Sequence, residues 1–224
     1  MDFGRLPNVE NVDFSLPKDA VSHSNLFSGK RNDALVIYVG CPIWSHKDWV
    51  GKIYPAKAKE KDFLTYYAQQ YNTIKLNATH YKIPSLSTIA RWVADVPDDF
   101  LFCPKVPQVI SHAKNIFDMK IVFDEFIDAI LHFEKNLGCT FLQLPPYFKP
   151  DKLDALIQLL DTLPQEFKIA IELRHEAWYQ DTVAFDALCK YLQSKRFGLV
   201  ITDVSGRRDV LHQRFTNTTA FISF

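Results

Sequence analysis

The feature that most limits what this chain can fold into is an alternation of two patterns. Short β-branched or aromatic runs recur at "LVIYVGC" (35–41), "TIKLNAT" (73–79), "FLFCPKV" (100–106), "TFLQLP" (140–145), "KIAIELR" (168–174), "GLVITDV" (198–204) and "AFISF" (220–224). Most are separated by stretches of helical spacing. Phe63, Leu64, Tyr67, Ala68 and Tyr71 form one stripe; Leu86, Ile89, Ala90 and Val93 form a second, with Ser85 placed as a cap after Pro84. Phe123, Phe126, Ile127, Ile130 and Leu137 form a third that Gly138 ends; Leu153, Leu156, Ile157 and Leu160 form a fourth. Phe185, Leu188, Cys189 and Leu192 make a fifth before Gly198. Strands alternating with helices pair in parallel through right-handed crossovers. Residues 1–33, rich in Asn, Asp, Ser and Pro, read as an irregular amino-terminal arm, and residues 34–224 as one domain.

Composition narrows the class. With 224 residues and 47% apolar content, the chain can bury one sizeable core. Its 26 basic residues balance 26 acidic ones, which argues against a general nucleic-acid coat. Cys41, Cys103, Cys139 and Cys189 lie far apart without a C-x-x-C pair, as small apolar residues of a reduced protein do. The first residues lack a basic stretch followed by an apolar one, and no apolar run approaches membrane-spanning length. The expectation is a cytoplasmic protein with no membrane contact.

Strand parity separates a barrel from an open sheet. No strand–helix junction carries G-x-G-x-x-G or a phosphate-loop motif, so a nucleotide-binding open sheet gains little support. In "KIAIELR", Ile169, Ile171 and Leu173 take one face, and Ala170, Glu172 and Arg174 the other. In "TIKLNAT", Ile74, Leu76 and Ala78 oppose Lys75, Asn77 and Thr79; in "TFLQLP", Leu142 and Leu144 oppose Phe141 and Gln143. The polar set converging at carboxyl-terminal strand ends, joined by Lys105 and Asp203, predicts an α/β fold of the TIM-type (β/α) barrel class.

The segments "VGCPIWSHKDWVGKIYP" (39–55), "IKLNATHYKIP" (74–84), "FCPKVPQVISH" (102–112), "LQLPPYFKP" (142–150), "IELRHEAWY" (171–179) and "LVITD" (199–203) resemble, in order, the motifs of the YecE-like family, the domain of unknown function 72. The resemblance implies a barrel and brings no settled reaction. It sets two departures in relief: Lys75 stands where the family usually has an acid, and Ser223 where it commonly has Arg. It also implies that relatives continue past "AFISF" through a last helix and an eighth strand. The expected domain is therefore a barrel truncated after the seventh strand. Removing the arm leaves about 190 residues, small for eight strand–helix units. An open edge of this kind favours self-association, or closure by another chain or by the arm.

Candidate site residues follow from chemistry at the predicted rim. Glu172 and Asp203 are the two carboxylates for acid/base work, each with a bland alternative: an ion pair for Glu172, a turn cap for Asp203. Arg174 and Lys105 are the anion holders. Asn77 and Tyr81 are placed to orient a ligand, and Trp44 to stack against one. His175 is a proton carrier whose opposite strand parity weakens its claim. His80 and His112 read more readily as surface residues than as ligands. The loop "SGRRD" (205–209) is basic and short.

These residues point to an enzyme-like barrel of unassigned reaction acting on a small anionic, phosphate- or carboxylate-bearing, or sugar-type ligand. No cofactor is called for. A divalent metal held by Glu172, Asp203, His175 and His80 or His112 is the weaker alternative, tied to a nucleic-acid-processing barrel of the endonuclease IV type. No H-x-H or H-x-x-x-H spacing supports it. A truncated, inactive relative is the third reading.

Overall fold

Backbone hydrogen-bonding groups must all find partners, and where they find them decides which apolar runs become strands. The computed structural model describes residues 8, 10, 15, 16, 18–20, 22–27, 35–164, 166–203 and 211–224. Its helices are α1 (Ser22–Leu26), α2 (Phe63–Ala68), α3 (Leu86–Ala94), α4 (Gln108–Ser111), α5 (Lys120–Leu131), α6 (Leu153–Leu160), α7 (Ala177–Gln180) and α8 (Thr182–Lys195). Its strands are β1 (Thr73–Leu76), β2 (Leu101–Pro104), β3 (Thr140–Gln143), β4 (Ile169–Glu172), β5 (Gly198–Thr202) and β6 (Phe221–Ser223).

The seven-stranded truncated barrel is thereby corrected. The described residues hold six strands in two sheets, β1–β2 and β3–β4–β5–β6. The run that fails to become a strand is 35–41. It lies extended beside β1, but its backbone groups are claimed by side chains. The Asn72 amide accepts from Val39 N–H at 2.7 Å and donates to the Ile37 carbonyl at 2.9 Å. The Tyr67 hydroxyl accepts from Cys41 N–H at 2.6 Å. One ladder-type bond remains, from Lys75 N–H to the Cys41 carbonyl at 3.3 Å. Leu35, Val36, Ile37 and Val39 stay between 58% and 70% exposed.

The chain divides into two units, residues 33–141 and residues 142–224 with the first 32. In the first, β1 and β2 pair in parallel, Ile74 with Phe102 and Lys75 with Cys103. Aromatic side chains fill its core: Tyr54, Phe63, Tyr67, Phe100, Phe102 and Phe133 are all buried. Helix α3 begins where Ser85 Oγ accepts from Thr88 N–H at 3.2 Å, the cap its sequence announces. The third helical stripe ends earlier than its spacing suggests, at Leu131. Beyond it Glu134 adopts φ 50°, and the buried Asn136 amide donates to the carbonyls of Phe100 at 2.7 Å and Pro97 at 3.1 Å. Those bonds replace a further helical turn.

In the second unit β4 and β5 pair in parallel with Ala170 opposite Gly198, and β5 and β6 with Thr202 opposite Ser223. Ile169, Ile171, Leu199 and Ile201 are buried on one face, as strand parity predicts. Helix α8 starts at the Asp181 carboxylate, which accepts from Ala184 N–H at 3.0 Å. It ends at Arg196, whose φ of 58° stops the helix. The arm is not wholly irregular: α1 places His23 so that its Nε2 accepts from Phe215 N–H at 3.1 Å. Among the described residues no helix is long and apolar enough to cross a membrane.

His212 is a buried histidine of this unit. Arg214 N–H donates to its Nδ1 at 3.4 Å, and its Nε2 therefore donates to the Val200 carbonyl at 3.0 Å. Its ring stacks on Tyr179. Burial is the main cause that lowers its pKa to about 4; the Val200 bond opposes and the Arg214 charge adds.

Two measurements check this account. A Cβ on Gly40 would lie 2.0 Å from the Thr73 carbonyl oxygen, with Tyr67 Oη at 3.0 Å. Because backbone cannot yield as a side-chain tip does, Gly40→Ala is expected to cost about 2 kcal/mol or more in chemical denaturation. The unfolded chain takes up the His212 proton near pH 6.5, whereas the fold refuses it down to about pH 4. Stability therefore falls as pH drops through that window, by about 2–3 kcal/mol between pH 7 and 4.5. The same titration of His212→Gln should lose that slope.

Candidate functional site

Strands buried on both faces have little room for charge except near their ends. In the sheet β3–β6, neighbours opposite each other in parallel register share a face. Ala170 with Gly198, and Thr202 with Ser223, fix one face for β4, β5 and β6. Small side chains occupy its lower part. Glu172 lies on it at the end of β4, with no exposed surface. From β3, Gln143 Nε2 donates to Glu172 Oε1 at 2.8 Å, and Leu144 N–H donates to the Glu172 carbonyl at 2.9 Å. The buried Thr202 Oγ1 makes no hydrogen bond with the described residues. Ser223 beside it is 8% exposed, and its carbonyl accepts from Asp203 N–H at 3.3 Å. Arg174, half-buried, continues the parity of Glu172 just beyond the strand.

A carboxylate, an amide and two hydroxyls thus lie at the carboxyl ends of four strands, with Arg174 two residues past the end of β4. Asp203 is exposed at the end of β5, and the residues after it, 204–210 including "SGRRD", lie outside the described residues. His175 belongs to the backbone rather than to this set. Its Nδ1 accepts from Ala177 N–H at 3.0 Å and so opens α7. That turn seats Trp178, fully buried, whose Nε1 donates to the Phe148 carbonyl at 2.8 Å. Much of the "RHEAW" segment is therefore a corner that anchors β4.

The remaining candidates belong to the unit 33–141. Lys75 is half-buried with its ammonium 4.9 Å from the centroid of the Phe141 ring, a cation–π contact. Lys105, also half-buried, has its carbonyl held by Thr79 Oγ1 at 2.7 Å. Asn77 opens the turn after β1, and its buried Oδ1 makes no hydrogen bond with the described residues. Tyr81 is 80% exposed, edge-on to His80 at 5.3 Å. Trp44 packs edge-on against Trp92 at 5.5 Å, which stacks on Phe133. Its ring is part of an aromatic cluster.

Among the described residues, no three His, Cys, Asp or Glu side chains are grouped as a ligand set for an ion. Sequence reasoning passed over Gln143 and Thr202 as site residues. Both share parity with residues already singled out, and neither carries a charge to draw attention. His80 was set aside as a surface residue, yet it is 8% exposed.

Comparison with known proteins fits this architecture. The family model described as "Protein of unknown function DUF72" matches residues 38–224. Protein YecE of Escherichia coli is 33% identical over 168 residues, covering 75% of this chain and 59% of that protein. Protein YunF of Bacillus subtilis is 28% identical over 163 residues, 67% of this chain and 56% of that protein. The chain thus spans less than three fifths of the length of these curated relatives. A DUF72 family protein of Enterococcus faecalis superposes with a TM-score of 0.66 at 24% identity, over 83% of this chain and 69% of its own. One from Thermotoga maritima gives 0.63 at 24% identity, over 83% and 72%. With a family match over most of its length and a curated relative at 33% identity, the chain belongs to the DUF72 family.

Proposed function

We propose that the carboxyl ends of β3–β6 form a binding site for a small anionic, phosphate- or carboxylate-bearing, or sugar-type ligand. The observation that carries this reading is Glu172. Burying a carboxylate on a parallel strand is costly unless something offsets its desolvation. Here Gln143 holds one oxygen, and one same-face step beyond Val200 and Phe221 the next two strands end in the hydroxyls of Thr202 and Ser223. A fixed carboxylate with the unengaged Thr202 Oγ1 at the same end of the sheet suits recognition of ligand hydroxyls, or acid/base work on them. Arg174 would hold the negative group, and Asp203 would supply a second, solvent-facing carboxylate.

Ligand binding within the unit 33–141 is a separate matter, to which Lys105, Asn77 and Tyr81 would contribute on their own faces.

The test is thermal stabilisation of the chain by a panel of phosphorylated, carboxylated and plain sugars and acids, repeated with two variants. A ligand that binds at this sheet end should raise the melting temperature. Arg174→Ala should weaken an anionic ligand by about tenfold or more, since charge-assisted hydrogen bonds contribute about 1.5–3 kcal/mol. Glu172→Gln should leave that anionic affinity within a few-fold and reduce the affinity of hydroxyl-bearing ligands. Stabilisation by no member of the panel, or stabilisation indifferent to both substitutions, overturns the proposal.

A further inference from the structure

The chain leaves β1 through the turn Asn77–His80 and leaves β2 through Pro107 into α4. Because the two strands are parallel, both exits lie at the same end of the pair. Between them lies a cleft of about 480 Å³.

His80 lines this cleft and is only 8% exposed. Its Nδ1 lies 3.0 Å from the Val106 carbonyl oxygen, an acceptor only, so this nitrogen carries a hydrogen and donates it. Its Nε2 makes no hydrogen bond with the described residues. Burial, first, and then the charges of Lys105 and His112 hold the imidazole below its usual pKa; the Val106 bond opposes them. At neutral pH the ring is therefore uncharged, and Nε2 offers a lone pair. An acceptor that faces a cleft without a protein donor can take a hydrogen bond from whatever enters.

The other walls say what else the occupant carries. Lys82 is exposed on the rim, and His112 stands with its ring 5.8 Å from His80. Gln108 adds an amide, and none of the lining residues is acidic. Tyr81 and Val109, 80% and 57% exposed, offer apolar surface for a short carbon skeleton. The requirements are a hydroxyl donor, a negative group and a few carbons.

We propose that this cleft binds a small hydroxylated anion, whose hydroxyl donates to His80 Nε2 while its carboxylate or phosphate faces Lys82. The proposal is built within the unit 33–141 and does not rest on Glu172 or Arg174.

Paired probes test it on the full chain. Lactate against propionate, and glycerol phosphate against propyl phosphate, differ in hydroxyl content while keeping the anionic group. Titrations followed by the ring-proton resonances of the histidines should show the hydroxylated member of at least one pair shifting His80. That member should bind about threefold to tenfold tighter than its counterpart, the usual contribution of one added hydrogen bond. If lactate is the better probe the site favours hydroxy acids, and if glycerol phosphate it favours sugar phosphates. His80→Asn retains a donor for the Val106 carbonyl but has no atom in place of Nε2; it should reduce each hydroxylated probe to the affinity of its counterpart. Lys82→Gln, a surface change, should weaken both members of a pair several-fold, as read from the His80 resonance. Equal binding within both pairs, no perturbation of His80 at tens of millimolar probe, or unchanged affinity in Lys82→Gln overturns the proposal.

Discussion

Parallel pairing is the constraint on which the rest of this protein depends. A parallel strand has neighbours along its edges and layers on its faces, so its middle must be apolar. Val200, Ile171 and Leu199 satisfy that demand without exception. Polar groups are displaced to where the strand stops, and parallel neighbours stop at the same end. Glu172, Thr202 and Ser223 are gathered by this rule before any ligand is considered. The same rule brings the exits of β1 and β2 together and opens the cleft beside His80.

Much of the fold was legible in the sequence for the same reason. Period-two and period-3.6 patterns report burial, and burial governed β1 to β6, the Ser85 cap and the stripe of α5. What periodicity could not report was competition for backbone groups. Residues 35–41 have a strand's composition, but the amide of Asn72 and the hydroxyl of Tyr67 sit where a ladder would form. Two polar side chains over thirty and over twenty positions away thus decided the outcome, and local pattern cannot register them. The early stop of α5 has the same origin in Asn136.

The candidate site was legible in part. Parity put Glu172 on the face that the pairing of β4 with β5 defines, and it weakened the claim of His175, whose Nδ1 accepts from Ala177 N–H. Trp44, read as a stacking surface, packs edge-on against Trp92, as an aromatic side chain near a strand end does when it serves a core. His80 and His212 were missed as buried residues because a histidine's burial depends on which carbonyl it finds. Val106 and Val200, 26 and 12 positions away in the chain, supply those carbonyls.

The ribbon 35–39 carries a consequence for how the protein moves. It is fastened to its unit by side-chain bonds at Asn72 and Tyr67 rather than by a continuous ladder, and its outer surface faces solvent. Such a segment can peel back without parting β1 from β2, so its local opening is energetically uncoupled from the melting of the sheet beside it. A stretch that looks, letter by letter, like the firmest strand in the chain is then among the first to let go.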